Sequence, residues 1–128
     1  MPRVLAGGCF NRVHEGHLYF LREAKKLGDE LVVVLASDSH NKKAYAKPAG
    51  ERKKELDSLG LADKVVVGDS DGFIGTVLRE KPGVIALGYD QKMPKDVQAQ
   101  LAELKIKVIR IGKLGNHSTA QLVNRAHE

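Results

Sequence analysis

The feature that most constrains this chain is a regular alternation of continuous apolar runs with segments of helical spacing. Arg3 to Ala6, "RVLA", reads as a short strand that runs into Gly7 and Gly8. Between His17 and Leu27, residues Phe20, Leu21, Ala24 and Leu27 share one face of a helix. Gly28 is expected to end that helix at the C′ position, in the left-handed backbone that costs glycine least. "ELVVVLAS" from Glu30 to Ser37 follows as a strand apolar on both faces, which is what a parallel sheet covered by helices on each side requires. The connection between the two strands should be right-handed.

The alternation continues to the end of the chain. Strands are predicted at Lys64–Gly68, Gly83–Gly88 and Lys107–Gly112, and helices over Phe73–Glu80 and Pro94–Leu104. Pro48–Leu59 is a weaker helical segment with Leu56 and Leu59 facing inward, His40–Lys47 reads as a loop, and Ser118 or Thr119 can cap a last helix. No repeat or linker interrupts the pattern. Residues 1–128 are therefore expected to form a single α/β domain: a Rossmann-like, doubly wound parallel sheet of five strands in the order 3-2-1-4-5, with helices on both faces.

Bulk properties narrow the function. The longest apolar run, Leu31–Ala36, falls far short of the roughly 20 residues needed to cross a bilayer, and the N-terminus lacks the apolar stretch of a signal peptide. A cytoplasmic protein with no membrane partner is expected. One cysteine, Cys9, excludes an internal disulfide framework. The net charge of +5 favours an anionic partner, but with 5% aromatic residues and no tryptophan the chain lacks stacking platforms for single-stranded nucleic acid. Small phosphorylated ligands fit better than nucleic acid.

In a 3-2-1-4-5 sheet the crevice opens where strand one lies beside strand four, because their outgoing connections leave toward opposite faces. Strand one leads out through Gly7, Gly8 and Cys9 to His17, strand four into Gly88, Tyr89 and Asp90, and strand five into Lys113, His117, Ser118 and Thr119. All three loops reach one sheet edge. Glycines there admit a close backbone approach, and helix N-termini offer unpaired amides to phosphate. "HEGH" is one residue too short for the H-E-x-x-H of a zinc protease, and no metal site built from protein side chains is expected. G-x-G-x-x-G and G-x-x-x-x-G-K-S/T are both absent, so hydride transfer and P-loop hydrolysis lose support. His14 and His17, placed between strand one and its helix, read as donors to an anion.

"GCFNRVHEGH", Gly8 to His17, resembles the HxGH signature of the nucleotidyltransferase superfamily, the cytidylyltransferase-like group, whose pattern is G-T-F-D-x-x-H-x-G-H. The likeness extends through "AKKLGDELVVVLASD", "KPGVIALGYDQ" and "HSTAQLV", and so covers nearly the whole chain. Within the group, "GYDQ" and "NHST" are most similar to archaeal-type FAD synthase, while "NKKAY" is similar to glycerol-3-phosphate cytidylyltransferase. Cys9 and Asn11 depart from the pattern, standing where threonine or serine and aspartate are usual.

The resemblance implies transfer of a nucleoside monophosphate from a triphosphate to a phosphate-bearing acceptor, with release of pyrophosphate. ATP and FMN giving FAD is the first reading, and CTP with glycerol 3-phosphate or a related polyol phosphate the second. The third, prompted by Asn11 and Cys9, is a nucleotide-binding module without turnover. The resemblance implies His14 and His17 as catalytic residues, with Gly8, Cys9, Phe10, Glu15, Gly16, Asp90, His117, Ser118 and Thr119 also contacting nucleotide. Asn11, Lys42 and Lys43 would serve the acceptor or a closing loop. A divalent cation, Mg²⁺ or similar, should accompany the triphosphate, held mainly by phosphate oxygens, and a homodimer is implied. An acceptor phosphate with a second pKa near ~6 is already dianionic at neutral pH and needs no general base. Because several phosphate charges outweigh the roughly half charge of a helix N-terminus, charging of the histidines should be coupled to nucleotide binding.

Overall fold

The computed structural model of the chain describes residues 2–8, 10, 15–37, 48–68, 73–88, 91, 93–112 and 121–122. Strand β1 (Arg3–Gly8) leads to helix α1 (Glu15–Lys25), β2 (Glu30–Leu35), α2 (Ala49–Leu59), β3 (Lys64–Val67), α3 (Phe73–Glu80), β4 (Val84–Leu87), α4 (Lys95–Glu103), β5 (Lys107–Arg110) and β6 (Gln121–Leu122). The sheet runs β3-β2-β1-β4-β5-β6, with the first five strands parallel. The expected order 3-2-1-4-5 is thus the observed one.

Strand alternation explains why these runs are apolar throughout. On one face Val4, Ala6, Leu31, Val33, Leu35, Val84 and Ala86 pack with Phe20, Leu21 and Ala24 of α1 and Leu56 of α2. On the other, Leu5, Val32, Val34, Ile85, Leu87 and Val108 meet Val77 of α3 and Leu101 of α4. Each buried apolar strand residue therefore contributes to one of two apolar layers, and a polar residue in its place would leave a hydrogen-bonding group stranded. With β1 between β2 and β4, its outgoing helix covers one face while that of β4 covers the other. The crevice predicted from topology follows directly.

Three local expectations are corrected. Gln121–Leu122 is a short strand rather than part of a final helix capped by Ser118 or Thr119, and it pairs antiparallel with β5 through Ile109↔Leu122 and Arg110↔Gln121. Ladder bonds to the outer edge of β5 win over a helical pattern too short to distinguish itself from a strand. Gly28 is not left-handed. It is glycine because a Cβ there would lie 2.1 Å from the Pro2 carbonyl oxygen and 2.9 Å from Val4 Cγ2. On α2, Leu56 is buried as expected but Leu59 is 40% exposed, and the fully buried partner position belongs to Arg52.

At the N-terminal edge of the sheet, Glu80 ends α3 with its carboxylate buried. Lys64 Nζ lies 3.0 Å from Oε1, Arg79 Nε 3.4 Å from Oε2 and Arg3 Nη1 3.6 Å from Oε1. Arg3 also donates to the Glu80 backbone carbonyl at 2.8 Å and pairs through Nε with Glu30. Burial works to raise the Glu80 pKa, but the hydrogen bonds from Lys64 and Arg79 outweigh it and hold the carboxyl below its ordinary value. Glu80→Gln should therefore lower stability by about 1–3 kcal/mol at neutral pH, since cations remain facing a neutral amide. A depressed carboxylate stabilises the fold above its unfolded pKa and loses that contribution as pH falls through the folded value. The difference between variant and wild type in urea unfolding should accordingly close as pH drops below the ordinary glutamate value of 4.5. A gap unchanged with pH would contradict this assignment.

Candidate active site

The site is built from the C-terminal end of β1. Where that strand ends, Gly8 leaves room for the chain to fold back: a Cβ on it would lie 2.8 Å from Phe10 Cε2. Phe10 adopts φ 52°, a left-handed conformation that costs a bulky side chain on the order of 1–3 kcal/mol. Burial of its ring in the layer that holds Phe20, Leu21 and Ala24 offsets that cost. The ring then meets His17, with centroids 5.1 Å apart and planes tilted by 52°.

His17 lies in the first turn of α1, which begins at Glu15. The exposed Glu15 carboxylate at the positive end of the helix is favourably placed, and Gly16 between the two keeps the turn free of side-chain bulk. An anion arriving at this turn would meet the positive end of the helix and an imidazole together. Of the residues predicted from the sequence, the structure brings Gly8, Phe10, Glu15, Gly16 and His17 to this edge. Cys9, Asn11, His14, Lys42, Lys43, Asp90, His117, Ser118 and Thr119 lie outside the described residues.

On the opposite face of the sheet, beyond Gly7 and Gly8, is a cavity of about 530 Å³. Its walls include Val34 from β2, Phe73 and Thr76 from α3, and Met93 and Val97 from the α4 side. The volume suits a drug-sized ligand, and the mainly apolar wall with a few polar groups is typical of such sites. Thr76 is fully buried and gives the wall a hydroxyl. End to end, the site has the first turn of α1 with His17 on one side, an apolar recess on the α3–α4 side, and two glycines between.

Two residues join the crevice and were given no role in the sequence reading. Gln91, also on the cavity wall, accepts from the Gly88 N–H through Oε1 at 2.8 Å and donates from Nε2 to the Gly7 carbonyl at 2.8 Å. Arg110 Nη1 donates to the Gly88 carbonyl at 3.0 Å. "GYDQ" drew attention only as a likeness, since bonds spanning 84 residues of sequence leave no local signal. Among the described residues no group of three His, Cys, Asp or Glu side chains could hold a metal ion, and no helix is long and apolar enough to cross a membrane.

Residues 5–125 match the model of the family described as cytidylyltransferase-like. The FAD synthase of Aciduliprofundum boonei is 43% identical over 122 residues, spanning 91% of this chain and 82% of that protein. That of Thermoplasma acidophilum is 39% identical over 98% of this chain and 93% of its own. The crystal structure of the lipopolysaccharide core biosynthesis protein from Thermoplasma volcanium superposes with a TM-score of 0.80 at 39% identity, covering 87% of this chain and 96% of that one. Pantothenate synthetase from Thermus thermophilus, 13% identical with a TM-score of 0.57, shares the fold alone.

Proposed function

Because this chain belongs to the cytidylyltransferase-like family, we propose that it is an FAD synthase, transferring AMP from ATP to FMN and releasing pyrophosphate. The observation that carries this reading is the identity with FAD synthases at about four residues in ten, sustained over 91% and 98% of the chain in two relatives. Such a span includes the β1–α1 turn, the cavity wall and the β4 loop, which are the parts a two-substrate reaction needs.

In this reading the triphosphate lies against the first turn of α1, and the isoalloxazine ring of FMN enters the apolar cavity beyond Gly7 and Gly8. The FMN phosphate, dianionic at neutral pH, attacks the α-phosphorus of ATP; the new P–O bond forms as the bond to pyrophosphate breaks. No base is required. The protein contributes alignment of the two phosphates and stabilisation of the charge that gathers on the α-phosphate and the leaving group. His14 and His17 donate to those oxygens, with the Phe10 ring orienting His17. Gly8, Cys9, Glu15, Gly16, Asp90, His117, Ser118 and Thr119 complete the nucleotide contacts, while Asn11, Lys42 and Lys43 serve the acceptor side. A divalent cation such as Mg²⁺ accompanying ATP would be held mainly by phosphate oxygens and would neutralise part of the triphosphate charge. The reading also takes the protein to be a cytoplasmic homodimer, which sedimentation equilibrium tests.

The decisive assay pairs FMN with MgATP in one reaction and glycerol 3-phosphate with MgCTP in another, following pyrophosphate release and FAD fluorescence. FAD formed with equimolar pyrophosphate is the expected result. Release only in the second reaction would replace both base and acceptor, and silence in both would overturn the FAD synthase reading and leave another acceptor or a non-catalytic module.

A further inference from the structure

The ladder between β1 and β4 stops one rung early. Its last paired residues are Ala6 and Ala86. Continued in register, a parallel pair would next join the Gly88 N–H to the Gly7 carbonyl. Those two groups are the ones that Gln91 takes up: its Oε1 accepts from Gly88 N at 2.8 Å, and its Nε2 donates to Gly7 O at 2.8 Å. A primary amide offers the same donor and acceptor as a peptide group. The Gln91 side chain is thus spliced into the sheet as an extra peptide, parting the two strands while leaving neither backbone group unpaired.

The turn that carries it is held from the other side as well. Gln91 N donates to the Gly88 carbonyl at 3.2 Å. Arg110 of β5 donates from Nη1 to the Gly88 carbonyl at 3.0 Å and to the Gln91 carbonyl. Ile111 N bonds Leu87 O at 2.8 Å just below. Gly88 and Gln91 are therefore anchored to both neighbouring strands, and the bond to Gly7 of β1 runs through an amide side chain.

We propose that Gln91 is a positioning residue that sets the opening of the crevice: its amide fixes the spacing between the β1 loop, which leads to His17, and the β4 loop, and so the alignment of the two substrates. The inference rests on the nucleotidyl-transfer reading for its kinetic readout only. The geometry has its own.

Two substitutions separate positioning from simple structural support. A protonated carboxyl in Gln91→Glu reproduces the amide: its carbonyl accepts from Gly88 and its O–H donates to Gly7. The carboxylate has no proton to give and faces the Gly7 carbonyl with a second acceptor. Arg110 is the charged group bonded to this turn and favours the carboxylate; Met93, Pro94 and Val97 on the α4 side are not ionisable and favour the acid. Asp90 and Lys92 flank it in sequence. The kcat of Gln91→Glu relative to wild type should rise about tenfold as pH falls through the range in which its carboxyl takes up its proton. Gln91→Met, with similar length and no hydrogen bonds, should stay about tenfold down in kcat across that range, a loss of the size expected when aligned groups drift. A purely structural residue would give a pH-independent ratio for both. A flat ratio for Gln91→Glu, or wild-type kcat for Gln91→Met, would overturn the proposal.

If neither variant folds, ¹⁵N-labelled wild-type protein decides it. The Gln91 side-chain NH₂ should exchange with solvent far more slowly than a free glutamine amide, and exchange at the free rate would overturn the splice. Should wild type form no FAD, the function proposed above fails, and amide exchange alone then decides the inference.

Discussion

His17→Ala should slow FAD formation by about 10²–10³-fold, the usual loss when one preorganised donor to a developing anion is removed. The imidazole sits in the first turn of α1, at the crevice edge, with its ring against Phe10 at 5.1 Å. In the proposed reaction that position is where charge builds in the transition state. Removal affects that state more than bound substrate, so kcat should carry most of the loss while KM for ATP and FMN changes little. His17→Asn, which restores a neutral donor on a shorter arm, should recover part of the rate. Rapid-quench single turnovers would measure the chemical step apart from product release. A variant within threefold of wild type would remove His17 from the reaction, and robust activity lost only here would exclude a module that binds without turning over.

Val97→Trp should raise KM for FMN by on the order of 10–100-fold, because forcing a ligand against an overfilled wall costs about 1–3 kcal/mol and each 1.4 kcal/mol is tenfold in affinity. Val97 is only partly buried and lines the cavity of about 530 Å³, so the indole has open space to enter without displacing the packed layer beneath. The first turn of α1, proposed to receive the triphosphate, lies on the other face of the sheet, beside Phe20, Leu21 and Ala24. KM for ATP should consequently stay near the wild-type value. Flavin fluorescence titration and steady-state kinetics check both. Unchanged FMN binding would place the flavin outside this cavity while leaving the transfer reaction itself intact.

How much of this was legible in the sequence depended on whether the cause was local. Strand and helix placement followed from periodicity, and the 3-2-1-4-5 order from the doubly wound class that their alternation implies: Leu31 to Leu35 are all buried because alternate residues enter opposite layers, which a continuous apolar run announces. The β1–α1 turn could be picked out because its glycines and histidine lie within a few residues of one another. What escaped depended on distant partners. Gly28 serves a close approach to Pro2 rather than a helix end, and Pro2 is distant in sequence. Arg52 is buried although α2 reads as a weakly amphipathic surface helix. The cavity needed Val34, Phe73 and Val97 to converge from three elements, and Gln91 became significant only once Gly7 and Gly88 stood side by side. Gln121–Leu122 followed the open edge of β5, a demand that no local helical pattern records.

A crystal structure with a non-hydrolysable ATP analogue and FMN tests the central claim most directly. The expected result is a triphosphate against Gly16 and His17 and a flavin ring between Phe73 and Val97, with the FMN phosphate in line with the α-phosphorus. A nucleotide bound elsewhere, with the His17 imidazole open to water, would contradict it.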